Sequence, residues 1–278
     1  MDSLGSLLIA AGGGAVAGAA ITRPLAWLLA KAGLQRRNFA GEPVVTAVGL
    51  AVAFPGALAP VLFGGDSRAT VVAATIAAFM GLGLLDDVKG RHGGGGFRGH
   101  FSQLCRDGRL TTGALKVLGG GAAALAAAAW LFPPVNAAGV IRVLVAAGLI
   151  ALSANFLNLL DLRPLRALKV FALPGLALAL AGGAPGTALA AMLGAGAIYA
   201  PAEARRRVML GDAGSNPLGA ALGLAAAGAL PLWAQGLAVA ALAVVHLYAE
   251  SGSISAWIDA HPWVARLDRW GWSGPGNP

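Results

Sequence analysis

Charge is scarce in this chain. Of 278 residues, 12% are Asp, Glu, Lys or Arg against 57% hydrophobic, whereas soluble globular domains carry about 25% charged residues. A water-soluble globule is thereby excluded. Cysteine is nearly absent: Cys105 stands alone, so neither an intramolecular disulfide nor a thiolate zinc cluster is available, and the residue reads as inert filler. Acids are fewer than bases, 12 against 20, for a net charge of +8. The bases are scattered between apolar runs and form no single face or tail, which argues against nucleic acid as a partner. Basic residues are also missing from the N-terminus, where Asp2 stands instead. The apolar stretch that follows outruns a secretory leader's short core, so it is expected to remain as an anchor.

What the chain has in abundance is apolar runs of membrane-spanning length, at about 4–22, 44–63, 69–85, 112–132, 138–160, 168–183, 185–201, 214–230 and 232–250. The expectation is an all-α fold, a single integral membrane domain over residues 1–278 with about nine transmembrane helices. Taking the loops alternately, all of the 20 Lys and Arg except Arg68 and Arg142 fall on one side. The positive-inside rule makes that side cytoplasmic, with the N-terminus outside, the C-terminus inside and the chain in an inner membrane. Trp27, Trp130, Trp233, Trp257 and Trp263 stand at or beyond run ends, where indoles anchor at headgroup level. Glycines such as Gly14, Gly18, Gly219 and Gly223 let helices approach closely, within one chain or in a homodimer. From 253 to 272, Ile254, Trp257, Ile258, Trp263, Leu267 and Trp270 recur at helical spacing against Asp259, Arg266 and Asp268. That pattern predicts an amphipathic helix lying on membrane lipid.

Three polar motifs interrupt this pattern, all at the cytoplasmic ends of runs. Asp86 and Asp87 close the third run, at the partly negative end of a helix, where carboxylates are unfavourable. Either they serve a function or they are solvated residues that stop the helix, with Lys89 as a loose partner. Asn155, Asn158 and Asp161 follow at intervals of three along one face of the fifth run; a polar wall and helix–helix hydrogen bonding both account for them. Gly211-Asp212-Ala213-Gly214-Ser215-Asn216-Pro217 precedes the eighth run. Ser215 or Asn216 suits a helix N-cap and Pro217 the first turn, leaving free N–H groups for an anion. Gly211 and Gly214 would admit a phosphate closely, and Asp212 would hold a metal on it. Together the motifs give four carboxylates, Asp86, Asp87, Asp161 and Asp212, with Lys116 at the start of a further helix. Hard oxygen ligands without a His or Cys cluster favour magnesium, or manganese, over zinc, and magnesium binds through one or two carboxylates plus substrate phosphates. A diphosphate substrate follows. A transporter or channel is disfavoured, because the acids gather at one face and the helix centres are read as lacking an ionisable pathway.

In order and placement these motifs resemble the polyprenyl-phosphate N-acetylhexosamine-1-phosphate transferase family (glycosyltransferase family 4). Asp86-Asp87-Val88-Lys89 is similar to its paired-aspartate motif, Asn155 to Asp161 to its Asn-x-x-Asn-Leu-x-Asp motif, and Gly211 to Ser215 to its Gly-Asp-x-Gly-Ser motif. Arg37, Glu42-Pro43 and Gly49 echo it more weakly, and the resemblance covers about residues 20–230. It implies magnesium-dependent transfer of a phospho-sugar from a UDP-linked amino sugar to polyprenyl phosphate, releasing UMP. The roles it implies are Asp212, with Asp86, on the metal; Asp86 or Asp87 deprotonating or orienting the lipid phosphate; and Asp161 supporting metal or nucleotide. Lys116 would neutralise phosphate, and Arg37, Asn155, Asn158, Gly211, Gly214 and Ser215 would contact substrate. Three departures fall in the nucleotide and sugar pocket: Leu162-Arg163-Pro164 stands where the family has glycine and a further aspartate, no asparagine lies between Asn158 and Asn216 where the family has one shortly before its Gly-Asp, and in the inner C-terminal loop a lone His261, read as interfacial, replaces a histidine cluster. They leave open a second expectation, a catalytically diverged scaffold that binds polyprenyl phosphate in cell-envelope synthesis.

Overall fold

A computed structural model of the chain describes residues 3–90 and 112–273; Cys105 and most of the 86–111 loop lie outside the described residues. The described residues form eleven helices and one small hairpin. In chain order these are α1 (Ser3–Lys31), β1 (Gln35–Arg37), β2 (Pro43–Val45), α2 (Leu50–Gly64), α3 (Ser67–Lys89), α4 (Thr112–Leu131), α5 (Ala137–Leu160), α6 (Arg166–Ala179), α7 (Gly183–Ala204), α8 (Asp212–Ala229), α9 (Leu232–Ser251), α10 (Ile254–Ala260) and α11 (Pro262–Arg269). The first nine helices alternate in direction. The ends of α1, α3, α5, α7 and α9 therefore meet the starts of α2, α4, α6 and α8 at one end of the bundle, called here the charged end.

Among the described residues five helices are long and apolar enough to cross a membrane: α1, α3, α4, α5 and α9. The other four expected spans fall short in different ways. α2 has only 15 residues and carries Pro55 and Pro60; α6 has 14 and carries Pro174. α7 and α8 are long enough, but glycine, proline and polar residues lower their apolarity. Their surroundings explain this, because nearly every residue of α8 from Ala213 to Ala227 is buried against protein and needs no affinity for lipid. α9 is the reverse: among its residues only Gln235 is buried, while Trp233, Leu237, Val244 and Leu247 face outward.

Close packing by small residues holds the centre. A Cβ on Gly219 would strike the Ser153 carbonyl and one on Gly223 would lie 2.5 Å from the Ile150 Cα, so α5 and α8 touch backbone to backbone. Gly14 and Gly194 do the same between α1 and α7. In lipid such van der Waals contact is a main source of helix association.

Two expected elements differ in form. The span expected from residue 44 begins as strand: β2 pairs antiparallel with β1, Arg36 opposite Val44. Asn38 makes the turn by accepting the N–H groups of Ala40 and Glu42. The interfacial helix expected over 253–272 is two short helices. Pro262 lacks an N–H and drives the residue before it out of helical geometry, and His261 is accordingly extended at φ −113°, ψ 99°.

Candidate active site

The start of α8 is the hub of the charged end. Gly211 has φ 67° and ψ 177°, and a Cβ there would lie 2.6 Å from each of Ala47 N, Thr46 Oγ1 and Asp87 Oδ2; only glycine fits. Its N–H donates to Asp161 Oδ2 at 2.8 Å, and the Ala213 N–H donates to Asp87 Oδ2 at 2.9 Å. Gly83 lets α3 press against this turn, since a Cβ on it would collide with the Asp212 carbonyl. Gly49 and Gly214 meet in the same way, each 2.6 Å from where the other's Cβ would sit.

These contacts correct the expected anion site. The helix begins at Asp212 rather than near 214, and neither Ser215 nor Asn216 caps it. Ser215 Oγ donates back to the Gly211 carbonyl (2.9 Å) and Asn216 Nδ2 to the Asp212 carbonyl (2.8 Å). The N–H groups of Gly211 and Ala213 already serve protein carboxylates, and those of Gly214 and Ser215 turn back to the Gly211 carbonyl. The helix start is positive, as the dipole requires, but the groups that meet it are the carboxyls of Asp87 and Asp161.

The four acids thus form two tiers. Asp87 and Asp161 are buried and build the turn. Thr46 Oγ1 donates to Asp87 Oδ1 at 3.2 Å, and Arg36 Nη2 lies 3.3 Å from the same oxygen. Asp161 caps α5, and its carboxyl is held protonated well above the usual carboxylate range, first by burial and then by the negative charges of Glu203, Asp212 and Asp87. Asp86 and Asp212 keep partly accessible side chains and point at one cation, the Lys116 ammonium, at 3.8 and 2.5 Å. Asn158 completes this tier: with its amide oxygen 2.9 Å from Lys116 Nζ, its nitrogen donates to Asp212 Oδ1 (2.9 Å) and Ser215 Oγ (3.1 Å). Asn155, one turn deeper and half-buried, takes no part in this network among the described residues.

Among the described residues no group of three or more His, Cys, Asp or Glu is placed to hold a metal. What does fit a divalent cation is the Asp86–Asp212 pair, which already shares the Lys116 ammonium. Two carboxylates plus substrate phosphates is an ordinary magnesium arrangement; the described residues form no cage made wholly of protein.

Beside this tier opens a cavity of about 860 Å³, lined by Asp212, Asn158 and Asp161 and by four guanidinium groups, Arg36, Arg37, Arg163 and Arg206. Arg37 Nη1 donates to the Gly41 carbonyl within the hairpin, so it is a wall residue, and Arg36 is the arginine that reaches the acids. Phe39 is covered by Arg163 (4.3 Å to the ring centroid) and Arg206 (5.1 Å). Glu203, buried on α7, reaches the same wall, and its Oε2 has no partner among the described residues.

Arg36, Thr46, Glu203 and His246 are absent from the sequence expectations. An acid two residues past the end of the 185–201 run and an imidazole inside the 232–250 run were signal enough for the last two. His246 does place an ionisable ring in α9, where Nδ1 bonds the Leu242 carbonyl at 2.7 Å. His261 Nδ1 lies 2.7 Å from the Trp257 carbonyl, and its ring is 4.3 Å from that indole. No protein-family model matches the chain and no curated protein does.

Proposed function

We propose that this chain transfers a phospho-sugar from a UDP-linked amino sugar to polyprenyl phosphate at the cytoplasmic face of an inner membrane, releasing UMP. One observation carries the reading: three helix ends far apart in sequence bring Asp86, Asp212 and Lys116 together beside a large cavity lined by arginines. The distribution of Lys and Arg, all but Arg68 and Arg142 on this side, supports its orientation.

In the reaction an oxygen of the lipid phosphate attacks the sugar-linked phosphorus, a new P–O bond forms, and the bond to the UMP phosphate breaks with both electrons leaving on UMP. A phosphate monoester has a second pKa near about 6 and is largely dianionic at neutral pH, so no strong base is required. Asp86 orients the incoming phosphate against Lys116. Asp212 and Asp86 would hold magnesium, or manganese, which when bound supplies positive charge to the diphosphate oxygens. Lys116 adds a second cation, and Asn158 fixes both Lys116 and Asp212. Positioning and charge stabilisation of this kind supply most of phosphoryl-transfer catalysis. Asp87 and Asp161 act one layer back, by holding the Gly211–Ala213 turn that carries Asp212.

The test is UMP release by purified protein given magnesium, polyprenyl phosphate and a panel of UDP-amino sugars. Activity that disappears in Asp212→Asn is expected. No release with any donor would overturn the reading. It would favour the second one, a non-catalytic polyprenyl-phosphate-binding scaffold, for which the Lys116 ammonium already bridging the two carboxylates is the specific observation.

A further inference from the structure

α11 is built inside out for water. Its inward face consists of Ala265 and the acid Asp268, only 8% exposed, whereas Trp263, Leu267 and Trp270 are 68%, 60% and 74% exposed. Those three stand at intervals of four and three residues and so share one stripe of the helix; Trp257 on α10 is exposed as well. The inversion is imposed from below. Arg166 Nε and Nη2 grip both Asp268 oxygens at 2.7 and 2.9 Å, and Nη1 donates to Ser255 Oγ at 2.9 Å. Lys169 Nζ adds bonds to the carbonyls of Leu267, Asp268 and Trp270. These bonds fix the rotation of the helix and leave its aromatic stripe facing outward.

Two observations identify what covers that stripe. Exposed Arg266 and Arg269 stand beside it in the last turn of α11, Arg269 also pairing with half-exposed Asp259 at 3.2 Å, and it lies at the charged end of a bundle whose described residues include five membrane-length helices. Indole rings beside guanidinium groups match the headgroup region of a bilayer, apolar below and anionic above. We propose that α10 and α11 form a foot that binds the membrane surface and recognises anionic phospholipid headgroups through Arg266 and Arg269. The inference needs only that the chain sits in a membrane and is independent of the transferase reading.

The test is hydrogen–deuterium exchange of peptides across 254–272, using the full chain in nanodiscs of phosphatidylcholine with and without phosphatidylglycerol. Phosphatidylglycerol should slow exchange, by roughly fivefold for each arginine engaged. Arg266→Gln/Arg269→Gln should exchange alike in both lipids while peptides of α8 stay unchanged. In wild type, phosphatidylglycerol brominated near the headgroup end of its chains should quench tryptophan fluorescence more than phosphatidylcholine brominated at the same positions. Exchange and quenching insensitive to phosphatidylglycerol would overturn the proposal. So would protection that follows the number of protein copies per disc, which would assign the stripe to a second copy of the chain.

Discussion

Replacing Asp161 by Asn and by Ala separates two roles this side chain can have. Its carboxyl is buried, accepts the Gly211 N–H at 2.8 Å and is held protonated above the usual range by burial and by neighbouring acids. Asn keeps the size and the acceptor but carries no charge. Asp161→Asn should therefore melt at or above the wild-type temperature. Asp161→Ala leaves the Gly211 N–H buried without an acceptor, at about 1–3 kcal/mol, and should melt lower by roughly 2–12 °C. The pH dependence has a definite sign. A carboxyl whose native pKa exceeds its unfolded value of 3.8 binds its proton more tightly in the folded state, so stability falls as pH rises between those two values. The advantage of Asp161→Asn over wild type should vanish below the unfolded pKa and widen as the pH is raised above it. Thermal unfolding followed by tryptophan fluorescence, in detergent without magnesium, reads both effects. UMP release should fall by no more than about tenfold in Asp161→Asn, since a positioning residue has been replaced by its neutral isostere. Equal destabilisation by Asn and Ala, with wild-type stability that does not fall as the pH rises above 3.8, would show that Asp161 works as an ionised carboxylate and would refute the two-tier description.

Lys116→Met removes the cation shared by Asp86 and Asp212. Turnover should fall by at least about 10²-fold, while manganese, followed by electron paramagnetic resonance without substrate, binds more tightly because its competitor is gone. Arg36→Gln should destabilise by about 1–3 kcal/mol through loss of a charged contact to buried Asp87, whereas Arg37→Gln stays within about 0.5 kcal/mol; chemical or thermal unfolding of the pair decides. On α3, Gly83→Ala drives a methyl into the Asp212 carbonyl and should cost about 1–3 kcal/mol together with turnover. Gly81→Ala, with open space around it, should be neutral or slightly stabilising in the same assays. Arg166→Ala strands Asp268 in a buried position, which costs about 3–5 kcal/mol. It should free α10 and α11 for tryptic cleavage at Arg266 and Arg269, visible by mass spectrometry.

The acids were legible in the sequence because ionisable groups are rare in a membrane bundle, so each one at a run end marks a place. Alternation of the runs put Asp86, Asp161, Asp212 and Lys116 at one end, and there they meet. Finer features had no comparable signal. Arg36 and Arg37 sit side by side on a three-residue strand, where neighbours face opposite ways and too few residues alternate to show which one turns inward. Ser215-Asn216-Pro217 has the composition of a cap and first turn. The helix nevertheless starts at Asp212, because acceptors for its first N–H groups come from Asp87 and Asp161, which lie 126 and 50 residues away in the chain. Local capping patterns are blind to partners of that kind.

That long-range capping also changes what four acids in one place amount to. Counted as residues, Asp86, Asp87, Asp161 and Asp212 suggest a metal cage. Counted as lone pairs, Asp87 and Asp161 are committed to backbone N–H groups, and what they build is a turn that projects Asp212 toward Lys116. Only Asp86 and Asp212 remain for a divalent ion, and without substrate they already have a cation between them. Magnesium affinity should therefore be weak for the protein alone and rise when a diphosphate donor supplies the missing oxygens. Calorimetric titration of magnesium with and without UDP-amino sugar measures that coupling. Tight binding by the protein alone would mean that the buried pair gives up its backbone contacts to the metal.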